Sequence, residues 1–227
     1  MQKSDSTSKK GKHINKKAFY SITGTLTLLL IIAATLYINH MNYWPFNNDK
    51  IKGLPDEHIR AVLDKHSSVE TLLFSQVGAY EMNYSGSEIR FYAEHYHYDE
   101  RSETIDFGSI SRFEGDDSIG QLIWGLTDLR TTDFDEDPSF GSLYAQLELS
   151  GSSLSFNDSL STLPEFTEGL ATSNFLGSEP TKIKKNTPIP LLGWSSSLSS
   201  YSDYEYSISP EAMADREDYI VLYLEFK

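Results

Sequence analysis

The chain divides by the period of its apolar positions. Residues 18 to 38, AFYSITGTLTLLLIIAATLYI, carry no charge and are apolar on all sides. At a rise of about 1.5 Å per residue such a run can cross a hydrocarbon core of roughly 30 Å, so it predicts one transmembrane helix. The run exceeds the roughly 7 to 15 apolar residues of a cleaved signal peptide. Tyr37, Tyr43, Trp44 and Phe46 follow where an aromatic belt would sit. Both features favour a retained anchor.

Residues 39 to 53 read as a stem. The next stretch, LPDEHIRAVLDKH, predicts a short juxtamembrane helix: Pro55, Asp56 and Glu57 suit a first turn, Lys65 and His66 suit a last turn, and Ile59, Val62 and Leu63 make one apolar stripe. From residue 69 the period falls to two, the signature of half-buried antiparallel strands. Tyr80, Met82 and Tyr84 share one face before the turn Ser85-Gly86-Ser87. EIRFYAEHYHY returns, DERS turns again, and Ile105 and Phe107 point inward on the third strand. Farther on, Leu143, Ala145, Leu147 and Leu149 alternate with Tyr144, Gln146 and Glu148. Pro188 and Pro190 predict an edge strand. DYIVLYLEF, apolar on both faces, predicts a central one.

About eight short strands separated by turn signals predict an antiparallel β-sandwich and exclude an alternating α/β plan. The expected architecture is thus mainly β, with one transmembrane helix and a short juxtamembrane helix ahead of the sandwich. Its divisions are a Lys-rich cytoplasmic tail at 1–17, the span at 18–38, a stem and short helix at 39–66, and an acidic extracytoplasmic β domain at 67–227, expected to fold on its own.

Charge sets the orientation. Six of the 19 basic residues precede the apolar run, against one of the 33 acids, Asp5. The positive-inside rule places the N-terminus in the cytoplasm and the large domain outside. The part after the span keeps 13 basic residues against 32 acids, a net charge of about −19 within a chain total of −14, which excludes nucleic acid as a partner and favours a basic protein or cell-envelope component, with the membrane engaged through residues 18–38. With no cysteine, neither a disulfide nor a lipidated thiol can stabilise or tether the domain. The arrangement suits a Gram-positive bacterial cell surface.

Candidate chemistry is confined to two stretches. His95 and His97 stand two apart in a predicted strand, on one face and roughly 6.6 Å apart along the backbone, a spacing that can supply two of a zinc ion's ligands, with Asp99 next on that face. Because that face continues Ile89, Phe91 and Ala93, alternation alone already places the histidines at the rim of a strand. Asp133, Asp135 and Asp137 alternate as in a calcium loop, but Pro138 stands where an EF-hand needs Gly and Tyr144 where it needs Glu. A solvated acidic loop is the simpler reading. No cofactor is therefore expected, with zinc or calcium at these residues as the alternative. GSSLS at 151–155 lacks the closing Gly of a nucleophile elbow. With no complete catalytic motif, the expected function is extracytoplasmic binding or sensing. The alternative is an anchored surface hydrolase acting on cell-wall or carbohydrate material.

Overall fold

A computed structural model describes residues 16–46, 50–62, 74, 76–111, 119–126, 142–149, 152–159, 171–195 and 218–227. One helix, α1 (Lys16–His40), comes first. Its best 18-residue window has a mean hydropathy of 2.0, and its 25 residues span about 37 Å. It is long and apolar enough to cross a membrane, and none of its side chains is buried in the rest of the chain.

Eleven strands follow among the described residues: β1 (His58–Ala61), β2 (Gln76–Asn83), β3 (Glu88–His97), β4 (Glu100–Ser111), β5 (Ile119–Leu126), β6 (Ser142–Leu149), β7 (Ser152–Ser159), β8 (Ala171–Asn174), β9 (Thr181–Lys182), β10 (Ile189–Ser195) and β11 (Asp218–Phe226). They form a six-stranded sheet ordered β7-β6-β5-β2-β1-β9 and a five-stranded sheet ordered β4-β3-β11-β10-β8. All the pairings are antiparallel. The predicted β-sandwich is the observed plan.

One core lies between the sheets, filled by the inward residue of each alternating pair. Trp124 meets Trp194 edge to face at 6.1 Å, Phe91 meets Phe156 at 5.4 Å, and Tyr84 meets Phe226 at 4.8 Å. Two hydrogen bonds cross the same layer: Tyr80 Oη donates to the Leu191 carbonyl at 3.1 Å, and Trp194 Nε1 donates to Gln76 Oε1 at 2.9 Å. Burial pushes the Tyr80 phenol above its ordinary range.

The predicted juxtamembrane helix over 54–66 is corrected: residues 58–61 are β1, paired on one side with β2 and on the other with β9. Ile59 and Ala61 are buried while His58 and Arg60 are half-exposed, so alternation with period two competes with the helical stripe and a free place between two strands decides the outcome. Residues 63–66 lie outside the described residues. The β domain therefore begins earlier than residue 67, and Leu54, fully buried, already belongs to it.

The proline segment also differs from expectation, since β10 lies between β11 and β8. Yet β8 pairs only with Leu192 to Ser195, and a register shift falls between Pro190 and Leu192. Pro188 thus precedes β10, and Pro190 occupies the part of β10 that β8 does not reach, where its missing N–H leaves no β8 partner unpaired. Strand β11 is the middle of its sheet, as its two apolar faces predict. Its outward residues Tyr219, Val221 and Tyr223 form a second cluster with Tyr92, against which Tyr96 and Phe175 pack. Tyr92 stacks on Tyr223 at 5.4 Å and carries the Arg90 guanidinium 4.6 Å from its ring centre. Burial raises the Tyr92 and Tyr96 phenols to about 12. The described tyrosines on this outward face are thus a packed layer, while Tyr98 in the turn beyond β3 is exposed.

The end of α1 is clasped to the sandwich. Asn83, buried at the end of β2, donates to the carbonyls of Leu54 at 2.7 Å and Ile51 at 3.2 Å, and accepts from the Ile51 N–H at 3.0 Å. Asn42, with φ 52°, donates to the same Leu54 carbonyl at 2.7 Å and to Asp56 at 3.0 Å. The Gly53 N–H reaches the Met41 carbonyl at 2.8 Å. Two buried asparagines thereby satisfy a turn that would otherwise bury bare backbone groups.

Candidate functional site

The stretch 91–100 ends β3 and turns through Tyr98 and Asp99 into β4, with Tyr98 at φ 54°. The turn is two residues long, tighter than the predicted 99–102. Pairing of β3 with β4 slips between His95 and Tyr96: His95 faces Glu103 and Tyr96 faces Arg101, so Ser102 is the extra residue of a β-bulge. A bulge re-aims a side chain that would otherwise follow the pleat. Here it sets Ser102 Oγ 2.7 Å from His95 Nδ1.

The other ring nitrogen of His95 meets the first residue of β11. His95 Nε2 stands 2.9 Å from Asp218 Oδ1, and the exposed His97 places Nδ1 3.4 Å from the same oxygen. A carboxylate can only accept, so Nε2 carries the proton of a neutral His95 ring and Nδ1 is left to accept from Ser102. The same hydroxyl lies 3.1 Å from the His95 carbonyl, which competes for its hydrogen at longer range. Exposure grades along the chain of bonds: the side chains of His95 and Asp218 retain 10% and 16% exposure, that of His97 retains 53%, and Ser102 is open to solvent.

Of the residues named from the sequence, the structure brings His95 and His97 to one carboxylate, while Asp99 sits exposed in the turn. Asp133, Asp135 and Asp137 lie outside the described residues. Among the described residues, no three His, Asp or Glu side chains are grouped to hold a metal ion. Asp218 and Ser102 were missed. Asp218 extends the inward series Ile220, Leu222, Leu224 and Phe226 of β11 just as His95 extends Ile89, Phe91 and Ala93 of β3. That parallel was available as a signal, but the register joining the two strands was not.

A second feature lies on the outer face of the six-stranded sheet. A cleft of about 260 Å³ is bounded by Phe74, Val77, Ile123, Tyr144, Gln146 and Ser155. Phe74 lies flat on Gly125, where a Cβ would come within 2.7 Å of its ring, and packs 5.9 Å from the Tyr144 ring. Glycine at 125 therefore permits an aromatic wall to rest on the sheet. Ile123 and Tyr144 stay 36% and 38% exposed. On a chain with a net charge of −14, this is a distinct apolar surface.

No protein-family model matches the chain, and searches of curated proteins and of solved structures return no match.

Proposed function

We propose that the chain is a binding or sensing protein held at a membrane by α1, with its N-terminus in the cytoplasm and its β-sandwich outside. The cleft on the outer sheet face carries this reading. Concave apolar surface edged by a few polar groups, here Gln146 and Ser155, is the usual form of a ligand site, and exposed apolar patches on soluble faces mark contact surfaces. The ligand is expected to be neutral or cationic and partly apolar, because the negative surface disfavours anions.

Two measurements test this. Protease added to wall-stripped cells should remove everything after residue 39 and spare a tag at Met1, whereas protection of the sandwich would overturn the orientation. A fragment spanning 50–227, which keeps every described strand, should bind the neutral dye Nile red saturably. Ile123→Asp should weaken that binding at least tenfold without changing the β spectrum. Equal binding by both proteins would remove the cleft as the site.

A hydrolytic reading rests on one observation, the bonded series Ser102, His95 and Asp218.

A further inference from the structure

We infer that Ser102 is an activated nucleophile, with His95 as its general base and Asp218 as the positioning residue, and that this end of the sandwich reacts with carboxylic esters. The inference goes beyond ligand binding and is independent of the cleft.

Three observations converge on it. The first is the distance pair: 2.7 Å from Ser102 Oγ to His95 Nδ1 and 2.9 Å from His95 Nε2 to Asp218 Oδ1, both within hydrogen-bond reach for a nucleophile, its base and the group that orients the base. The carboxylate fixes the tautomer, so the nitrogen facing the hydroxyl is the unprotonated one. The ring is used in the reverse sense to a serine protease, with Nδ1 toward the hydroxyl. Proton transfer needs one ring nitrogen facing the hydroxyl and the other facing the carboxylate, so either sense serves. The second observation is the bulge. The register slips between His95 and Tyr96, so Ser102 is the extra residue and stands beside the His95 ring in addition to the ladder partner Glu103. The third is the gradient of exposure. The base and the carboxylate are shielded, which strengthens their interaction, while the hydroxyl remains within reach of a dissolved acyl compound.

The reaction balances without a cofactor. Ser102 Oγ forms a bond to the ester carbonyl carbon while its proton passes to His95 Nδ1. The imidazolium so formed is stabilised by the Asp218 carboxylate. Collapse of the tetrahedral adduct breaks the bond from carbon to the alcohol oxygen, and His95 returns the proton to that alcohol. Water then attacks the acyl-serine with His95 again as base, releasing the carboxylic acid and restoring the hydroxyl.

The chain contains no cysteine, which makes a clean test available. Purified full-length protein in detergent is treated with a fluorophosphonate probe, which forms an Oγ–P bond with loss of fluoride. The adduct is located by peptide mass spectrometry. One equivalent on Ser102 is expected, with none on the exposed Ser109. Ser102→Ala should abolish labelling, His95→Gln should slow it at least a hundredfold, and Asp218→Asn at least tenfold, with the melting transition retained in each. In parallel, Ser102→Cys introduces the single thiol, whose alkylation by iodoacetamide is followed against pH. A thiol facing His95 should show its midpoint at least one unit below the ordinary value of about 8.5, and adding His95→Gln should restore that value. Absence of an adduct on Ser102, or labelling spread over other serines, overturns the proposal whatever the thiol does. A midpoint near 8.5 that ignores His95 overturns the role given to the base.

Discussion

The two ends of the sandwich are built from similar materials and put to different use. Near α1, the side chain of Asn83 bonds backbone groups of Ile51 and Leu54, that of Asn42 bonds the Leu54 carbonyl and the Asp56 carboxylate, and Leu54 is fully buried. At the far end His95, His97 and Asp218 bond to one another and to an exposed hydroxyl, with few backbone groups depending on them. Polar groups that satisfy buried backbone hold a fold together. Polar groups that satisfy one another can be exchanged together, or for another polar group, at small structural cost, which leaves them free to take part in chemistry.

The largest effect expected from this contrast is on truncation. A fragment starting at residue 67 lacks Leu54 and β1, leaving β2 with one bare edge and an open hole beneath Asn83. It should lose cooperative melting by circular dichroism, whereas a fragment starting at residue 50 should keep it. Equal melting of the two would erase the special standing of the anchor-proximal end.

Point changes should rank the same way. Asn83→Ala removes three hydrogen bonds from buried and part-buried backbone groups and should cost about 2–3 kcal/mol in urea unfolding. His95→Gln, which keeps a polar side chain beside Ser102 and Asp218, should cost about 1 kcal/mol. A reversal of this order would show that the far end is the structural one.

The smallest effect is a pH dependence. Burial alone would raise the Asp56 carboxyl, but hydrogen bonds from Lys50, at 2.6 Å, and from Asn42 hold it below its ordinary value of 3.8. A depressed carboxyl pKa in the fold means that the unfolded chain takes up its proton first as the solution is acidified. The stabilisation is therefore complete above about pH 4 and disappears as pH falls through the lower folded value. With 57% of the Asp56 side chain exposed, screening limits it to under about 1 kcal/mol. Asp56→Asn should flatten the acid side of the melting profile by that amount, and Asp218→Asn should leave the Asp56 contribution unchanged.

Much of the fold was legible because it follows from alternation. The faces of β2 and β6, the inward Ile105 and Phe107 and the central place of β11 all follow from which residues recur at every second position. Where two periods fit the same residues, as at Ile59, Ala61 and Val62, the sequence could not choose, since the vacancy between β2 and β9 is a property of the whole sheet. The candidate site was legible by half for the same reason. His95 and His97 are close in sequence, but Asp218 arrives from more than a hundred residues away through a register that no local pattern encodes. Ser102 required a bulge, one extra residue that shifts the hairpin without altering its composition.

The clasp at Asn42 and Asn83 also bears on reach. A domain on a pliant linker sweeps a volume set by the linker's length. Here α1 leads into the sandwich through a bonded turn, and the ten residues of β3 then rise about 30 Å from the clasped end to His97. On the anchored reading, the hydroxyl at Ser102 keeps a fixed separation from the turn that follows α1, set by the length of β3 and not by a linker.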